Sequence, residues 1–315
     1  MATLNKHLEG ESLDPEHIFQ AVGNEVRIGI LRRLADATEP VPFTTIQEEL
    51  ELEDSGKFNY HLGKLTEHFI RKTPHGYELS HAGWAVIKAI RSGSMTHDPH
   101  IEPLSIPVDC PYCGEEQTFH YKNETIELRC QHCDGAAAGH YDTGTLMSFD
   151  FPVSGLRNRD YQEAAYAAHR LYDAEVVSLV GGVCPECAGT VVTDIELCQD
   201  HECAATKVCE TCQTKYAAWS EFTCEVCNHQ RKFPPWFKAM LHPTVISFFH
   251  EVADITEPIP FPKLMSGEGP DYGSVSESVR ATDPIELAFT FECQGEECTV
   301  VLDEALEIEV EEVSV

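Results

Sequence analysis

Six short pairs of metal-ligand residue types lie between positions 110 and 227, and they constrain this chain more than any other feature. They are Cys110/Cys113, Cys130/Cys133, Cys184/Cys187, Cys198/His201, Cys209/Cys212 and Cys224/Cys227, each with two residues between its members. That spacing lets both side chains face one ion, and two such pairs close a tetrahedral site. Thiols stay reduced in a cytoplasm, which argues against disulfides. The pairs therefore predict three structural zinc ions, each filled by protein ligands and without an open catalytic position.

The first two pairs are separated by 16 residues, the spacing of a zinc ribbon. Residues 117–122 and 125–129 read as strands joined across Asn123 and Glu124, which brings Cys110, Cys113, Cys130 and Cys133 together. The other four pairs admit two arrangements. Residues 190–197 and 214–223 read as strands, and at about 3.3 Å per residue each keeps its end pairs roughly 25–30 Å apart. An antiparallel ribbon then joins Cys184 and Cys187 to Cys224 and Cys227, and Cys198 and His201 to Cys209 and Cys212. A cross-braced pairing of first with third and second with fourth is the alternative. Cys203 competes with His201, but only His201 keeps the two-residue spacing. Cys293 and Cys298 flank a turn-like 294–297 segment and are too few for a zinc site, so they are expected to stay free thiols, with a redox-labile pair as the alternative.

The second constraint is residues 54–79, DSGKFNYHLGKLTEHFIRKTPHGYEL. Phe58, Leu62, Leu65 and Phe69 recur at helical spacing, with Asp54 or Ser55 able to cap the start. The opposite face carries Gly56, Lys57, Asn59, Tyr60, Gly63 and Lys64. Residues 70–73 and 77–79 flank Pro74, His75 and Gly76, a hairpin signal. A helix followed by a basic hairpin predicts the recognition helix and wing of a winged helix-turn-helix, with the helix in the DNA major groove. Contacts to DNA are expected from Lys57, Asn59, Tyr60, His61 and Lys64 on the helix, and from Arg71 and Lys72 on the wing. Upstream, 17–35 reads as one amphipathic helical stretch and 45–50 as a short helix capped by Thr44 or Thr45. Downstream, 80–90 reads as a helix with Trp84, Ile87 and Ile90.

This order of elements, carried by AVGNEVRIGILRRLA, FTTIQEEL, FNYHLGKL and GYELSHAG, resembles the ArsR-type winged-helix transcription regulators over about the first 90 residues. The resemblance implies a homodimer formed through terminal helices, here around 16–35 and 80–91, reading a palindromic site in double-stranded DNA. Metal-sensing members of that family carry a cysteine pair in a helix of the DNA-binding domain. No cysteine precedes Cys110 here, so sensing by that route is not expected.

Charge bears on this reading. The net charge is −31, from 53 Asp and Glu against 22 Lys and Arg. The acids are dispersed rather than gathered in a tail, and the composition resembles that of proteins from extreme halophiles. Residues 1–100 hold 10 basic and 15 acidic residues, a net of −5, whereas 54–73 hold four and two, a net of +2. The least acidic stretch thus coincides with the expected reading head. High salt weakens counterion release, so affinity is expected to lean on base-edge and apolar contacts from Asn59, Tyr60 and His61.

Elsewhere, 96–107 contains Pro99, Pro103 and Pro107 and reads as a linker. Residues 145–151 read as a strand and 161–180 as a helix, with Asp160 and Glu163 as a capping box. Ala165, Ala168, Leu171, Tyr172, Val176 and Leu179 form its apolar face, and it reads as a spacer or dimer helix. Residues 236–241 form a short helix or turn, 243–253 a helix begun by Pro243, and 254–273 a Pro- and Gly-rich loop. Alternating Ile285, Leu287, Phe289 and Phe291 predict a half-buried strand, which 299–302 and 306–310 extend into an antiparallel meander. Residues 236–315 carry 3 basic against 17 acidic residues, which points to a partner or effector rather than DNA.

The expected architecture is an α+β multidomain chain. It comprises a winged helix-turn-helix at 1–95, a linker at 96–107, a zinc ribbon at 108–150 and a strand with connecting helix at 151–182. A double zinc ribbon at 183–235 and an acidic α/β domain at 236–315 follow. The pair layout from Cys184 onward also resembles the C-terminal zinc-ribbon regions fused to winged-helix regulators in halophilic archaea. No apolar run approaches a membrane span and the first residues lack a signal pattern, so a cytoplasmic protein is expected. No nucleophile elbow, phosphate loop or paired-carboxylate motif is present, which argues against an enzyme. The expected function is DNA-binding transcription regulation. The alternative is an adaptor that meets the transcription machinery through the ribbons or the C-terminal domain and binds DNA weakly.

Overall fold

The computed structural model of the protein describes residues 14–94, 96–97, 99–204, 206–255 and 273–314. The chain divides into two compact units, Met1–His97 and Asp98–Val315. It is a mixed α+β protein with four antiparallel sheets among the described residues.

The first unit runs α1 (Pro15–Val22), α2 (Glu25–Ala35), α3 (Phe43–Glu49), α4 (Ser55–Thr66), β1 (Ile70–Thr73), β2 (Gly76–Leu79) and α5 (His81–Ser92). The stretch read as one helix over 17–35 is two. Gly23 closes α1, and the Asn24 side chain accepts from the Arg27 backbone N–H, which caps a new helix. Helix α3 starts at Phe43, so Thr44 and Thr45 lie inside it rather than capping it; Pro42 takes the cap position without a side-chain bond. Packing explains the earlier start, since the Phe43 ring meets Phe58 edge-on at 4.7 Å. Ile30, Leu31, Ile46, Phe58, Leu62 and Leu65 close the core. The β1–β2 hairpin pairs Ile70 with Leu79 and Thr73 with Gly76. Val41 adds a bridge to Tyr77, with both backbone N–H···O bonds at 2.9 Å. Gly76 has φ +145, and a Cβ there would lie 2.4 Å from Val41 backbone atoms, so the hairpin tip requires glycine.

The second unit begins with a sheet in the order β3 (Ile101–Asp109), β4 (Glu116–Lys122), β5 (Thr125–Cys130) and β6 (Thr145–Asp150). Strand β3 occupies most of the expected linker. It is an edge strand whose register slips between Ile101 and Leu104 and between Ile106 and Asp109, around Pro103 and Pro107. Proline is tolerated at such an edge because no ladder bond is required of its nitrogen. Helix α6 (Tyr161–Val180) follows, with the Asp160–Glu163 capping box complete.

Beyond α6 come β7 (Val191–Leu197), β8 (Ala218–Cys224) and β9 (Gln230–Phe233) in one sheet, then α7 (Trp236–Met240) and α8 (Pro243–Ala253). The last sheet is β10 (Ser274–Thr282), β11 (Ile285–Cys293), β12 (Glu296–Asp303) and β13 (Ile308–Val313), paired in chain order. Strand β8 is shorter than the 214–223 read from sequence. Strands β9 and β10 are additional: one has four residues, and the other has only Val275, Val279 and Ala281 as apolar members. Most of the expected 254–273 loop lies outside the described residues.

Helix α6 is not a spacer. Ala164, Ala165 and Ala168 enter the core of the β3–β6 sheet, and Val176 and Leu179 enter a second core, with Tyr172 touching both. Leu171, read as part of the apolar face, is exposed. The second core corrects the division at residue 235. Phe222 and Phe233 stack at 4.5 Å, Phe237 meets Phe233 at 5.6 Å, and Phe249 meets Phe291 of the last sheet at 5.9 Å. The segments 183–235 and 236–315 thus share one interior.

Candidate metal centres and candidate nucleic-acid interface

Among the described residues, three ligand tetrads assemble: Cys110, Cys113, Cys130 and Cys133; Cys184, Cys187, Cys224 and Cys227; and Cys198, His201, Cys209 and Cys212. Within each, all ligand atoms lie within 4.8 Å of one another. The antiparallel pairing is the one found. Register pairs Val191 with Cys224 and Leu197 with Ala218, so the two ends of the β7–β8 ribbon each gather one tetrad.

Thiol separations are 3.6 Å for Cys110–Cys133, 3.4 Å for Cys113–Cys130, 3.6 Å for Cys184–Cys227 and 3.5 Å for Cys187–Cys224. A tetrahedral ion with metal–sulfur bonds of about 2.3 Å needs ligand edges of about 3.8 Å, so each tetrad can hold one ion with little movement. His201 Nδ1 sits 3.3 Å from Cys212 Sγ, whereas Cys203 is outside the tetrad and exposed, its thiol 3.7 Å from the Lys215 carbonyl.

The loops favour thiolate at selected positions. The Cys212 backbone N–H brings Cys209 down to about 6, and the Cys227 backbone N–H does the same for Cys224. Burial opposes ionisation of Cys130, but the His132 N–H and neighbouring thiols outweigh it and bring Cys130 to about 7. Burial pushes Cys110 up, with no N–H donation sufficient to offset it. Such a mixed set suits a site whose remaining thiols ionise when a cation arrives.

The tetrads are not independent beads. The loop after Cys133 is stitched to the Cys209–Cys212 segment: Gly139 N–H donates to Gln213 O at 2.9 Å and Lys215 N–H to Ala136 O at 2.8 Å. Asp134 accepts from the Val208 N–H at 3.3 Å and Lys207 Nζ at 3.4 Å. A Cβ on Gly139 would meet the Cys212 carbonyl at 2.6 Å, which records how close the two loops come. Nothing in the spacing of the pairs signals this contact.

In the first unit, the Asp54 carboxylate accepts from the Gly56 and Lys57 N–H groups at 2.9 Å and starts α4. Phe58, Leu62 and Leu65 face the core. Lys57, Asn59, Tyr60 and Lys64 are exposed, as are Arg71 and Lys72 on β1. Among the described residues, Lys57, Lys64 and Lys72 join no ion pair, while Arg71 pairs with Glu78 across the hairpin at 3.2 Å. His61 corrects the expected contact set. It is 7% exposed, and burial together with the charges of Arg27 and Lys57 lowers its pKa. It is an interior imidazole of α4, turned away from the exposed face. No helix is long and apolar enough to cross a membrane among the described residues.

Residues 107–308 match a family model described as Domain of unknown function (DUF7351), and residues 15–90 match another, Domain of unknown function (DUF7347). No curated protein and no solved structure matches the chain.

Proposed function

The chain belongs to the family described as Domain of unknown function (DUF7351), and we propose that it is a DNA-binding transcription regulator of the ArsR-like winged-helix type with three structural zinc ions. One observation carries the reading: in a chain of net charge −31, the exposed face of α4 presents Lys57, Asn59, Tyr60 and Lys64 without an acid among them, and Arg71 and Lys72 on the following hairpin are also exposed.

Gly63 supports it. It sits inside α4 on the exposed face, where a Cβ would meet nothing within 4 Å. The fold does not require glycine there, and a helix-interior glycine costs about 0.5–1 kcal/mol relative to alanine. A partner backbone approaching the helix closely is a physical reason to keep it. Helix α4 then reads base edges while the β1–β2 wing meets phosphate, and a homodimer reads a palindrome. Zinc is the ion that thiolate-rich, closed four-ligand sites favour.

The test is selection of bound DNA from a random pool at molar potassium chloride, with the intact protein and an Asn59→Ala/Lys64→Ala variant. A palindromic motif that disappears in the variant is expected. A shallow dependence of affinity on salt is also expected, because few phosphates are contacted; a slope implying six or more phosphate contacts contradicts that part. No enrichment by a folded protein refutes the reading. It would favour the adaptor alternative, which has its own support. Val183, Val192 and Val226 around the Cys184–Cys227 tetrad are 46%, 45% and 73% exposed, an apolar surface suited to a protein partner.

A further inference from the structure

Strand β7 (Val191–Leu197) lies at one edge of its sheet and pairs with β8 alone. Just before the strand, the Thr190 carbonyl accepts from the Glu225 N–H at 3.0 Å; just after it, the Cys198 N–H donates to the Ala217 carbonyl at 2.9 Å. Both pairs keep the register of the strand, so its bonds to β8 fall on even-numbered residues. The N–H and C=O groups of the odd-numbered residues point away from β8. Val191 N–H meets the Gly182 carbonyl at 3.1 Å. The outward groups of Thr193, Ile195 and Leu197 have no hydrogen-bond partner among the described residues. Open edges invite further strands, and folds usually blunt them. This fold does so at its other edges. Among the described residues, β1, β2 and β9 have four residues each, β3 carries Pro103 and Pro107, and register shifts interrupt the pairing of β6, β10 and β13. Strand β7 has seven residues in unbroken register and no proline.

The side chains of β7 define what fits beside it. Odd-numbered residues face the interior: Val191 is buried, and Ile195 and Leu197 pack partly buried against the second core. Val192, Asp194 and Glu196 lie on the opposite, exposed face. There Lys232 holds Glu196 at 2.9 Å and Glu221 at 3.3 Å. Asp194 stands directly across from Glu221 and joins no ion pair among the described residues. Like charges opposite one another weaken a ladder, and opposite charges strengthen it. A strand added along β7 places one residue opposite Asp194 on that face, where a Lys or Arg supplies the missing cation. The neighbours of that residue turn to the inner face, where apolar side chains extend the cover over Ile195. A second copy of β7 fits poorly. Antiparallel registers centred on Asp194, Ile195 or Glu196 set Asp194 against Asp194, Asp194 against Glu196, or Glu196 against Glu196 of the other copy.

We propose that the free edge of β7 docks an extended, basic protein segment. The segment adds to the sheet as a further strand, with apolar residues alternating with Lys or Arg and one cation opposite Asp194. Main-chain bonds to Thr193, Ile195 and Leu197 supply the affinity, and the alternating side chains supply the selectivity. This site does not depend on the DNA-binding reading.

The test uses the full metal-loaded chain in molar potassium chloride, which screens the general attraction of a basic peptide to an acidic protein. The probe is a fluorescent peptide of alternating valine and lysine, roughly nine residues long to span a strand of ordinary length. One control peptide has glutamate for lysine. Another keeps the lysines but is N-methylated along its backbone, which removes the ladder donors. Fluorescence anisotropy should show saturable one-to-one binding of the lysine peptide, severalfold weaker binding of the glutamate peptide and none of the methylated one. Hydrogen exchange at the Thr193, Ile195 and Leu197 amides should slow on saturation. Asp194→Lys should reverse the preference between the two charged peptides. Thr193→Pro removes an outward N–H and leaves the bonds to β8 in place; it should abolish binding with metal content and circular dichroism unchanged. Absence of saturable binding, equal binding of the methylated peptide, or unslowed exchange at the three amides overturns the proposal. An unchanged preference in the Asp194→Lys variant overturns the basic character assigned to the partner. Self-association of the unaltered protein that Thr193→Pro removes would overturn it in favour of a second copy.

Discussion

Glu277→Gln should stabilise this protein at neutral pH, against the usual outcome of removing a hydrogen-bonded carboxylate. Glu277 on β10 reaches across to the segment entering β8, where it accepts from the Ala217 N–H at 2.5 Å and the Ala218 N–H at 3.2 Å. Burial penalises the charged form more than these two bonds favour it, and the carboxyl is raised from 4.5 to about 6. A raised acid makes the folded state bind its proton more tightly than the unfolded chain does. Stability is therefore fully present below pH 4.5 and falls as pH rises through 6. The rise from 4.5 to about 6 corresponds to about 2 kcal/mol lost by pH 7.5 and about 1 kcal/mol lost at pH 5. Glutamine carries no such linkage, but the two N–H groups meet different carboxylate oxygens and an amide offers only one acceptor, so one bond is lost at a cost of about 1 kcal/mol. The variant should exceed the unaltered protein by about 1 kcal/mol at pH 7.5, and the advantage should vanish near pH 5. The assay is denaturant unfolding of both proteins, metal-loaded, at several pH values. Taking the difference between them at each pH cancels the acid-driven release of metal, which is common to both. A variant less stable at pH 7.5, or a difference flat with pH, would show that the two N–H bonds outweigh burial and that the carboxylate is a net clamp.

Four further outcomes follow from the geometry. Metal analysis should find three zinc ions per chain, two in Cys198→Ser and in His201→Ala, and three in Cys203→Ala; loss of an ion in the Cys203 variant alone would exchange the ligand roles of the two residues. Chelation should unfold the second unit, because closed sites of this type contribute on the order of 10 kcal/mol of apparent folding energy, and unchanged circular dichroism would contradict that. In the first unit, Leu62→Ala should cost about 2–5 kcal/mol by emptying a fully buried position. Gly76→Ala should cost roughly 1–3 kcal/mol through its left-handed backbone and the 2.4 Å approach to Val41, and denaturant unfolding of the first unit's helical signal reads both.

Much of the candidate chemistry was written in short-range spacing. The pairs at two-residue spacing foretold all three tetrads, and strand length decided between the two possible pairings, because a straight strand cannot bring its own ends together. The Asp54 cap, the Asp160–Glu163 box and the Phe58, Leu62 and Leu65 stripe are also local, and each was found where it was read. Boundaries that depended on neighbours were less secure. Asn24 reads as one more helical residue until its side chain is seen capping Arg27. The prolines of β3 argue against a strand unless the strand is an edge, which depends on its partners.

What the sequence alone determined, then, is which residues form helices, hairpins and ligand pairs, since those depend on the backbone within a few positions. Tertiary structure alone decided which surfaces are spent on one another. His61 sits among residues that the sequence led one to expect at a DNA contact, yet α4 turns it inward. Leu171 belongs to an apolar face by period, yet it is exposed where α6 passes from one core to the next. The loop after Cys133 meets the Cys209–Cys212 loop, and the C-terminal sheet shares its interior with the β7–β9 ribbon. The reason is physical: burial is a property of the pair of surfaces that meet, and the chain positions of those surfaces lie up to more than a hundred residues apart.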